Sequence, residues 1–421
     1  MSTPATDVIV VGAGLAGLAA ATELQRANVP VRVVEASDQV GGRVRTDQVD
    51  GFLLDRGFQV LLPAYPALRE MVDLTALKLH PFWRVLRVVG DREVRSLGNP
   101  LDTARALTGA LRPGQPRFTD IARLSAVTAR DALAPSRMLT RAADHSVTEE
   151  LDRWGLRTET VNEVLRPFVA GIFGDEDLDT SARVFHLVWR SFARAAPALP
   201  AAGMQSLPDH LADRLTPGTV RLNTPAEAVA PGQVTIADAL HRARAVIVAA
   251  DATTAKRLLP GLSVPKWNGL STFYYTTPDP PLAQPTISID ALRRGPVVNT
   301  AVLSAVAPGY APSGQALISA TVLDAADEAL EPAVRRQLGA IYRTNTSRWE
   351  FLRHYSIPQA LPSMRAPHPL RRSVRLEPGL YVCGDHRDTS SVQGALVSGR
   401  RAARAALHDL AEGEGSGSRP H

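Results

Sequence analysis

The chain has 421 residues, 45% of them hydrophobic and 21% charged, enough to bury a large core, to divide into two domains and to fit a soluble globular enzyme. A pI near 9.6 raises the question of nucleic acid, but a net charge of only +5, 5% aromatics and no dense Lys/Arg block exclude that class and leave a weak preference for anionic membrane surfaces or acidic partners. Of the 47 basic residues only Lys78, Lys256 and Lys266 are lysines, a bias that matches a GC-rich genome better than a function.

In chain order, Val8-Ile9-Val10-Val11 predicts a buried strand, and Gly12-Ala13-Gly14-Leu15-Ala16-Gly17 a glycine turn opening an Ala/Leu-rich helix. Val31 to Val34 predicts a second strand, ending at Glu35 and Ala36. In such a unit Gly12 permits the tight turn, Gly14 lets the backbone approach a pyrophosphate, and Gly17 lets the helix pack closely on the sheet. The free N–H groups at the helix start then face the diphosphate, so no lysine is needed there. Glu35 stands 18 residues after Gly17, where a carboxylate accepts hydrogen bonds from both ribose hydroxyls and favours an unphosphorylated ribose. No basic residue precedes the apolar run from Val8 to Ala21, which argues against an export signal. Gly41-Gly42-Arg43 narrows the choice of dinucleotide, because a guanidinium just past the ribose acid can fold back onto the same diphosphate.

The run Val8 to Thr46 resembles the N-terminal signature of the flavin amine oxidase superfamily, which includes monoamine oxidases, protoporphyrinogen oxidases and carotenoid desaturases. Asp55-Arg56-Gly57-Phe58-Gln59-Val60 with Ala64-Tyr65-Pro66 is similar to the segment of plant-type carotene desaturases that passes beside the flavin ring. Tyr381-Val382-Cys383-Gly384-Asp385 and Ser391-Val392-Gln393-Gly394-Ala395-Leu396-Val397-Ser398-Gly399 are similar to the closing FAD motif. The resemblance implies an α/β fold: a Rossmann-type FAD-binding domain interleaved with an α+β substrate domain. It also implies non-covalent FAD, since covalent members carry their cysteine upstream of the strand that holds Cys383. Arg56, Gly57, Phe58 and Gln59 are then expected near the isoalloxazine, and Ala226 is expected to meet adenine through its main chain. Asp385 is expected to accept from the ribityl hydroxyls or to order water at the diphosphate. The helix after Ser391 would aim the N–H groups of Val392, Gln393 and Gly394 at the charge that develops on the reduced flavin.

The FAD-binding domain is expected from residues 1–80, 206–261 and 375–411, with strands at Thr219–Asn223 and Arg244–Ala250. The substrate domain is expected from 81–205 and 262–374, the first stretch mostly helical. Phe118, Ile121, Leu124 and Val127 recur at helical spacing after a break at Pro113-Gly114-Gln115-Pro116, and predict a helix that either packs on its own domain or touches a membrane. Strands are expected at Ser271–Thr276, Val297–Leu303 and Ala316–Val322. Phe273, Tyr274 and Tyr275 cannot all face one side, so one parity either lines a pocket or packs in a core. Residues 412–421 read as a disordered Gly/Ser tail, preceded by a helix over Val392–Leu407.

Cys383 alone excludes an internal disulfide and agrees with a cytoplasmic location, with contact to the inner face of the membrane left open. No stretch reaches the roughly 18 uncharged apolar residues of a membrane span. No His/Cys/Asp/Glu grouping has metal spacing, and His386 reads as a solvated loop residue. Two departures from the amine oxidases stand out: Ser391 occupies the position of an amine-cage aromatic, and no lysine corresponds to their flavin-site lysine. The expectation is therefore an FAD-dependent desaturase or dehydrogenase that takes a hydride from a C–H bond of an apolar, isoprenoid-like substrate and passes electrons to oxygen, a quinone or another diffusible acceptor. An amine or protoporphyrinogen oxidase is the alternative, since Arg166-Pro167-Phe168-Val169-Ala170-Gly171-Ile172-Phe173-Gly174 and Gly203-Met204-Gln205-Ser206-Leu207-Pro208 resemble segments found in protoporphyrinogen oxidases. A non-redox prenyl-binding or isomerase relative of the same fold is the second.

Overall fold

The computed structural model describes residues 7–98 and 118–416, so the break expected at Pro113–Pro116 and the tail beyond Ser416 lie outside the described residues. In chain order its principal elements begin with β1 (Val8–Val11), α1 (Leu15–Arg26), β2 (Val31–Val34), the hairpin β3 (Thr46–Val49) and β4 (Phe52–Asp55), and the hairpin β5 (Val85–Val89) and β6 (Val94–Gly98). There follow α2 (Phe118–Leu133), α3 (Arg166–Phe173), α4 (Ala182–Arg194), β7 (Val220–Arg221) and β8 (Ala245–Val248). Next come β9 (Trp267–Thr277), β10 (Ile287–Asp290), β11 (Val297–Val302), β12 (Ala316–Leu323) and α5 (Glu331–Tyr342). The chain closes with β13 (Glu350–Pro362), β14 (Arg375–Glu377), β15 (Leu380–Val382) and α6 (Val392–Ser416).

Two sheets carry the molecule. The first has the order β14-β15-β8-β1-β2-β7, parallel except for the edge strand β14. Its central strands β1 and β8 are apolar runs buried on both faces, as the middle of a parallel sheet requires. Helices α1 and α6 lie side by side on one face. They pack so closely that a Cβ on Gly399 would run into the Ala16 carbonyl. The second sheet is mixed, with the order β13-β9-β12-β11-β10-β5-β6. The stretch after residue 81, expected to be mostly helical, thus opens with a hairpin that forms the sheet edge and turns helical only further on.

Phe273, Tyr274 and Tyr275 are all fully buried, so the core outcome holds and no parity faces a pocket. Phe273 and Tyr275 pack with Val334, Leu338 and Ile341 of α5, while Tyr274 packs on the other face with Phe52, Leu54 and Tyr310. Both faces of the sheet are covered, which the alternation rule for a half-exposed strand does not anticipate.

Helix α2 packs against α4, with Ile121, Leu124 and Val127 half-buried. Its innermost contacts are polar, however. Asp120 accepts from the Thr160 hydroxyl at 2.6 Å, and Asp131, fully buried, lies 2.6 Å from His186 Nδ1. The other ring nitrogen of His186 is 2.9 Å from Glu150. Burial opposes charge on His186, but its two carboxylate neighbours prevail and raise its pKa, while the His186 hydrogen bond leads the effects that hold Glu150 down at about 2.

At the C-terminus α6 continues nine residues past its expected end at Leu407, into the segment from Glu412 read as a disordered tail. His408 and Glu412 face each other one turn apart, at 3.5 Å, and support that extension. Among the described residues no helix is long and apolar enough to cross a membrane.

Candidate active site

A cleft of about 1100 Å³ runs between the two sheets, just above the roughly 300–1,000 Å³ range of small-molecule sites. It begins at the C-terminal ends of β1 and β2, where ligands gather in open parallel sheets. Of the residues named from sequence, the cleft is lined by Gly12, Gly14, Leu15, Ala16, Glu35, Ala36, Gly42, Arg43, Arg56, Gly57, Phe58, Gln59, Ala226, Gly384, Asp385, Ser391 and Val392. Ala13, Gly17 and Gln393 do not line it.

Each of the three exceptions has a physical reason. Ala13 is fully buried and its N–H donates to Glu35 Oε2 at 2.6 Å, which fixes the carboxylate rather than a ligand. Gly17 lies beneath the turn, where a Cβ would collide with the carbonyl oxygen of Gly12, so its role is helix-to-turn packing. Gln393 turns away and accepts from the Ala67 N–H at 2.9 Å, tying α6 to the helix that begins at Pro66.

The dinucleotide end is organised around Glu35. Its second oxygen accepts from the N–H and hydroxyl of Ser37, at 2.9 and 2.5 Å. Gly14 provides the test of fit. Among the described residues, the adjoining backbone aside, no atom lies within 4 Å of where its Cβ would be, and its φ of −71° is open to any residue, so packing does not explain a glycine here. The space above it, at the start of α1, suits a diphosphate that must approach the backbone.

Arg43 and Asp385 join the two ends of the chain. The guanidinium donates to Asp385 Oδ1 at 2.6 Å and to the Ala360 carbonyl at 2.9 Å, and it lies over the Trp267 ring. Burial works against its charge, yet Asp385 outweighs that and raises its pKa. Arg56 is held away from a free role by a forked pair with Asp47, which also accepts from the Tyr355 hydroxyl at 2.7 Å. Gln59 donates to the Arg43 carbonyl at 2.9 Å, and Phe58 donates its N–H to Thr272 at 3.0 Å, so the Gly57–Gln59 turn is clamped from both sides.

At the start of α6 the Ser391 hydroxyl accepts from the Gly394 N–H at 3.0 Å. Gly394 therefore offers no free donor, contrary to expectation, whereas Val392 and Gln393 occupy helix positions whose N–H groups have no intrahelical acceptor. His386 also departs from expectation: it is 2% exposed, packs over Gly384, and burial pushes its pKa down to about 4. Cys383 is fully buried, lies outside the cleft, and burial pushes its thiol up to about 12, so no thiolate faces a cofactor.

Apart from the run Arg166–Gly174, the far end of the cleft was not legible in sequence. It is walled by Phe168, Ile172 and Phe173 of α3, Val188 and Phe192 of α4, and by Leu270, Ile287, Asn299 and Ser356–Leu361 of the second sheet. These residues come from six elements. In β13 the apolar positions follow no steady alternation, and its pairing with β9 shifts register twice, which erases the strand signal. Lys256 and Lys266 are exposed and neither lines the cleft. Among the described residues one group of convergent metal-type ligands occurs, His408, Asp409 and Glu412 on the exposed side of α6. Asp409 is already engaged by Tyr381 and Arg375.

A dinucleotide fold that closes on its own C-terminal strand, over an apolar chamber, defines a flavin-dependent oxidoreductase. The family model for flavin containing amine oxidoreductases matches residues 15–407, and the chain belongs to that family. It is an enzyme, and its cofactor is FAD. Among curated proteins it is 35% identical to putrescine oxidase of Kocuria rosea over 147 residues, 35% of this chain and 29% of that one. It is 30% identical to the chloroplastic protoporphyrinogen oxidase of Nicotiana tabacum over 196 residues, 44% of this chain and 32% of that one. It is 36% identical to 4,4'-diapolycopene oxygenase of Methylomonas sp over 115 residues, 25% of this chain and 23% of that one. The chain thus spans less than a third of the length of these curated relatives. A solved structure described as a putative protoporphyrinogen oxidase from Exiguobacterium sp. 255-15 superposes with a TM-score of 0.70 at 19% identity, covering 97% of this chain and all of that one, a likeness of fold.

Proposed function

We propose that the protein removes a hydride from a C–H bond of a largely apolar, isoprenoid-like substrate, in a reaction of the desaturase or dehydrogenase type. Bound FAD supplies the two-electron acceptor, and oxygen, a quinone or another diffusible acceptor takes the electrons onward. In this reading residues 1–80, 206–261 and 375–411 hold the cofactor, and 81–205 and 262–374 hold the substrate. Glu35 accepts from the ribose, and the backbone of Gly14 and Gly42 with Arg43 faces the diphosphate. Asp385 and the first N–H groups of α6 face the flavin.

One observation carries the substrate class. The far half of the cleft is walled by Phe168, Ile172, Val188, Phe192, Leu270 and Ile287, and every carboxylate in the lining is already engaged. Glu35 is held by Ala13 and Ser37, Asp47 by Arg56 and Tyr355, Asp251 by the N–H groups of Thr253 and Thr254, and Asp385 by Arg43. Asp47 and Asp385 are paired with arginines, while Glu35 and Asp251, held by neutral donors, lie just past β2 and β8 in the dinucleotide half, so a cationic amine in the apolar far half has no anion beside it. Burying that charge unpaired is disfavoured by several kcal/mol, about the scale of a whole binding energy at micromolar affinity. The chamber residues position the substrate and orient a C–H bond for hydride transfer; the proton that a desaturation also releases from the neighbouring carbon would leave to water at the cleft mouth.

A second reading, oxidation of a porphyrinogen, draws on Arg353. This exposed arginine lines the cleft and has no acidic partner among the described residues, so it offers a cation to anionic substituents. Anaerobic bleaching of the flavin by a panel of polyenes, porphyrinogens and amines discriminates the readings. Bleaching by a polyene is the expected result; bleaching by porphyrinogen alone selects the second reading, and bleaching by amines alone overturns both.

A further inference from the structure

Among the polar side chains of the chamber, Asn299 is a buried one that the apolar reading does not use. Asn299 lies on β11, is 6% exposed, and lines the cleft between Leu270 and Ile287 of the sheet and Gly171 of α3. Its Oδ1 is buried without a hydrogen-bond partner among the described residues. A buried polar atom left unpaired is destabilising on the order of 1–3 kcal/mol, and such exceptions in folded proteins call for a specific cause.

Two features keep the amide where it is. The pairing of β11 with β12 shifts register between Val297 and Asn299, and a bulge of this kind re-aims the side chain that follows it. Across the cleft wall, α3 carries glycine at 171, where a Cβ would collide with the Asn299 amide nitrogen. The helix therefore leaves room for this carboxamide, although Phe168, Ile172 and Phe173 beside it all supply apolar surface. A leucine or valine in place of Asn299 would satisfy the packing without stranding a polar group.

The geometry points to Asn299 as a specificity-determining residue that hydrogen-bonds a single polar substituent, a hydroxyl, carbonyl or N–H group, on an otherwise apolar substrate. The inference rests on the proposed apolar substrate and narrows it from a pure hydrocarbon to one with one hydrogen-bonding group. Rotation about the last bond of the side chain exchanges its oxygen and nitrogen, so the amide meets either a donor or an acceptor. A pocket built around such a group disfavours the analogue that lacks it, because the amide then remains unpaired.

The test uses the FAD-loaded full chain and two probes of equal carbon skeleton, farnesol and farnesene, with binding read from perturbation of the flavin absorbance. Asn299→Leu is compared with wild type, and flavin content and thermal unfolding verify that the variant is folded. Asn299→Leu is expected to weaken farnesol binding relative to farnesene binding by about tenfold, the scale of one buried hydrogen bond plus the unpaired group. Asn299→Asp, which retains an acceptor, is expected to keep more of the farnesol preference than the leucine variant. Equal changes for the two probes overturn the inference. If Asn299→Leu does not fold, farnesol competing no better than farnesene in the wild-type protein overturns it equally. Flavin bleaching is scored separately. Discrimination at Asn299 without bleaching by any polyene removes the proposed reaction and leaves the recognition role standing, whereas bleaching without discrimination does the reverse.

Discussion

The dinucleotide half of the cleft is lined largely by backbone and by charged groups already fixed in place, whereas the substrate half is lined by side chains drawn from the second sheet and two helices. In the first half the chain has few options, since a glycine turn, a helix N-terminus and a strand-end acid must occur at set spacings. In the second half any set of apolar side chains of suitable volume makes a wall. A site that holds a constant cofactor tolerates little change, and a site that selects a variable substrate can be rebuilt residue by residue. The relatives, matched over parts of their length and differing in what their names say they oxidise, fit that division.

If backbone placement carries the dinucleotide half, Gly17→Ala is the most damaging small change. Its methyl would meet the Gly12 carbonyl, displacing the turn; a stability loss of about 3 kcal/mol and loss of bound flavin are expected, read by thermal unfolding and visible absorbance. Full flavin content in that variant would break the comparison.

The joint between the halves is tested by Asp55, at the end of β4. It is 1% exposed and accepts from Thr46, Met204 and Tyr310, while the Tyr274 hydroxyl donates to its carbonyl. Burial outweighs those bonds and pushes its pKa up to about 6 from 3.8. The folded state thus holds a proton that the unfolded chain has released between those values. Stability attributable to this group is full below pH 3.8 and declines as pH rises to 6, by about 3 kcal/mol on the linkage relation. Asp55→Asn is expected to flatten that decline, measured as unfolding temperature against pH; an unchanged slope would assign the effect elsewhere.

Smaller effects sharpen the division. Glu35→Ala is expected to weaken FAD retention by roughly 1.5–3 kcal/mol through loss of charge-assisted hydrogen bonds, with Glu35→Gln in between. Retention at the wild-type level in both would argue against a ribose contact. Ser391→Ala removes the cap from the Gly394 N–H, and a loss of about 1 kcal/mol in stability is expected by chemical denaturation, with substrate preference unaltered.

Legibility followed the same line. The strand, turn, helix and acid of residues 8–35 could be read because each function there demands one residue type at one spacing, and the closing motif at Gly384–Gly399 shares that property. Cleft residues on β13, α3 and α4 carried no such demand. Asn299 sat unnoticed within a strand, although a lone asparagine in the run Val297–Leu303 was the available signal. The burial of His386 and the direction of the Gln393 side chain were not legible for another reason. Whether a polar side chain near a motif faces solvent, ligand or a neighbouring helix depends on elements distant in sequence, such as the Pro66–Met71 helix that receives Gln393.

The Arg43–Asp385 pair bridges 342 residues, and the strand preceding Asp385 joins the sheet only two places from β1. β1 and its glycine turn are made about 370 residues before the strand that completes the floor of the cofactor cleft. The sheet cannot close until both are present, so its assembly waits on a contact of very long sequence separation, the kind that slows folding.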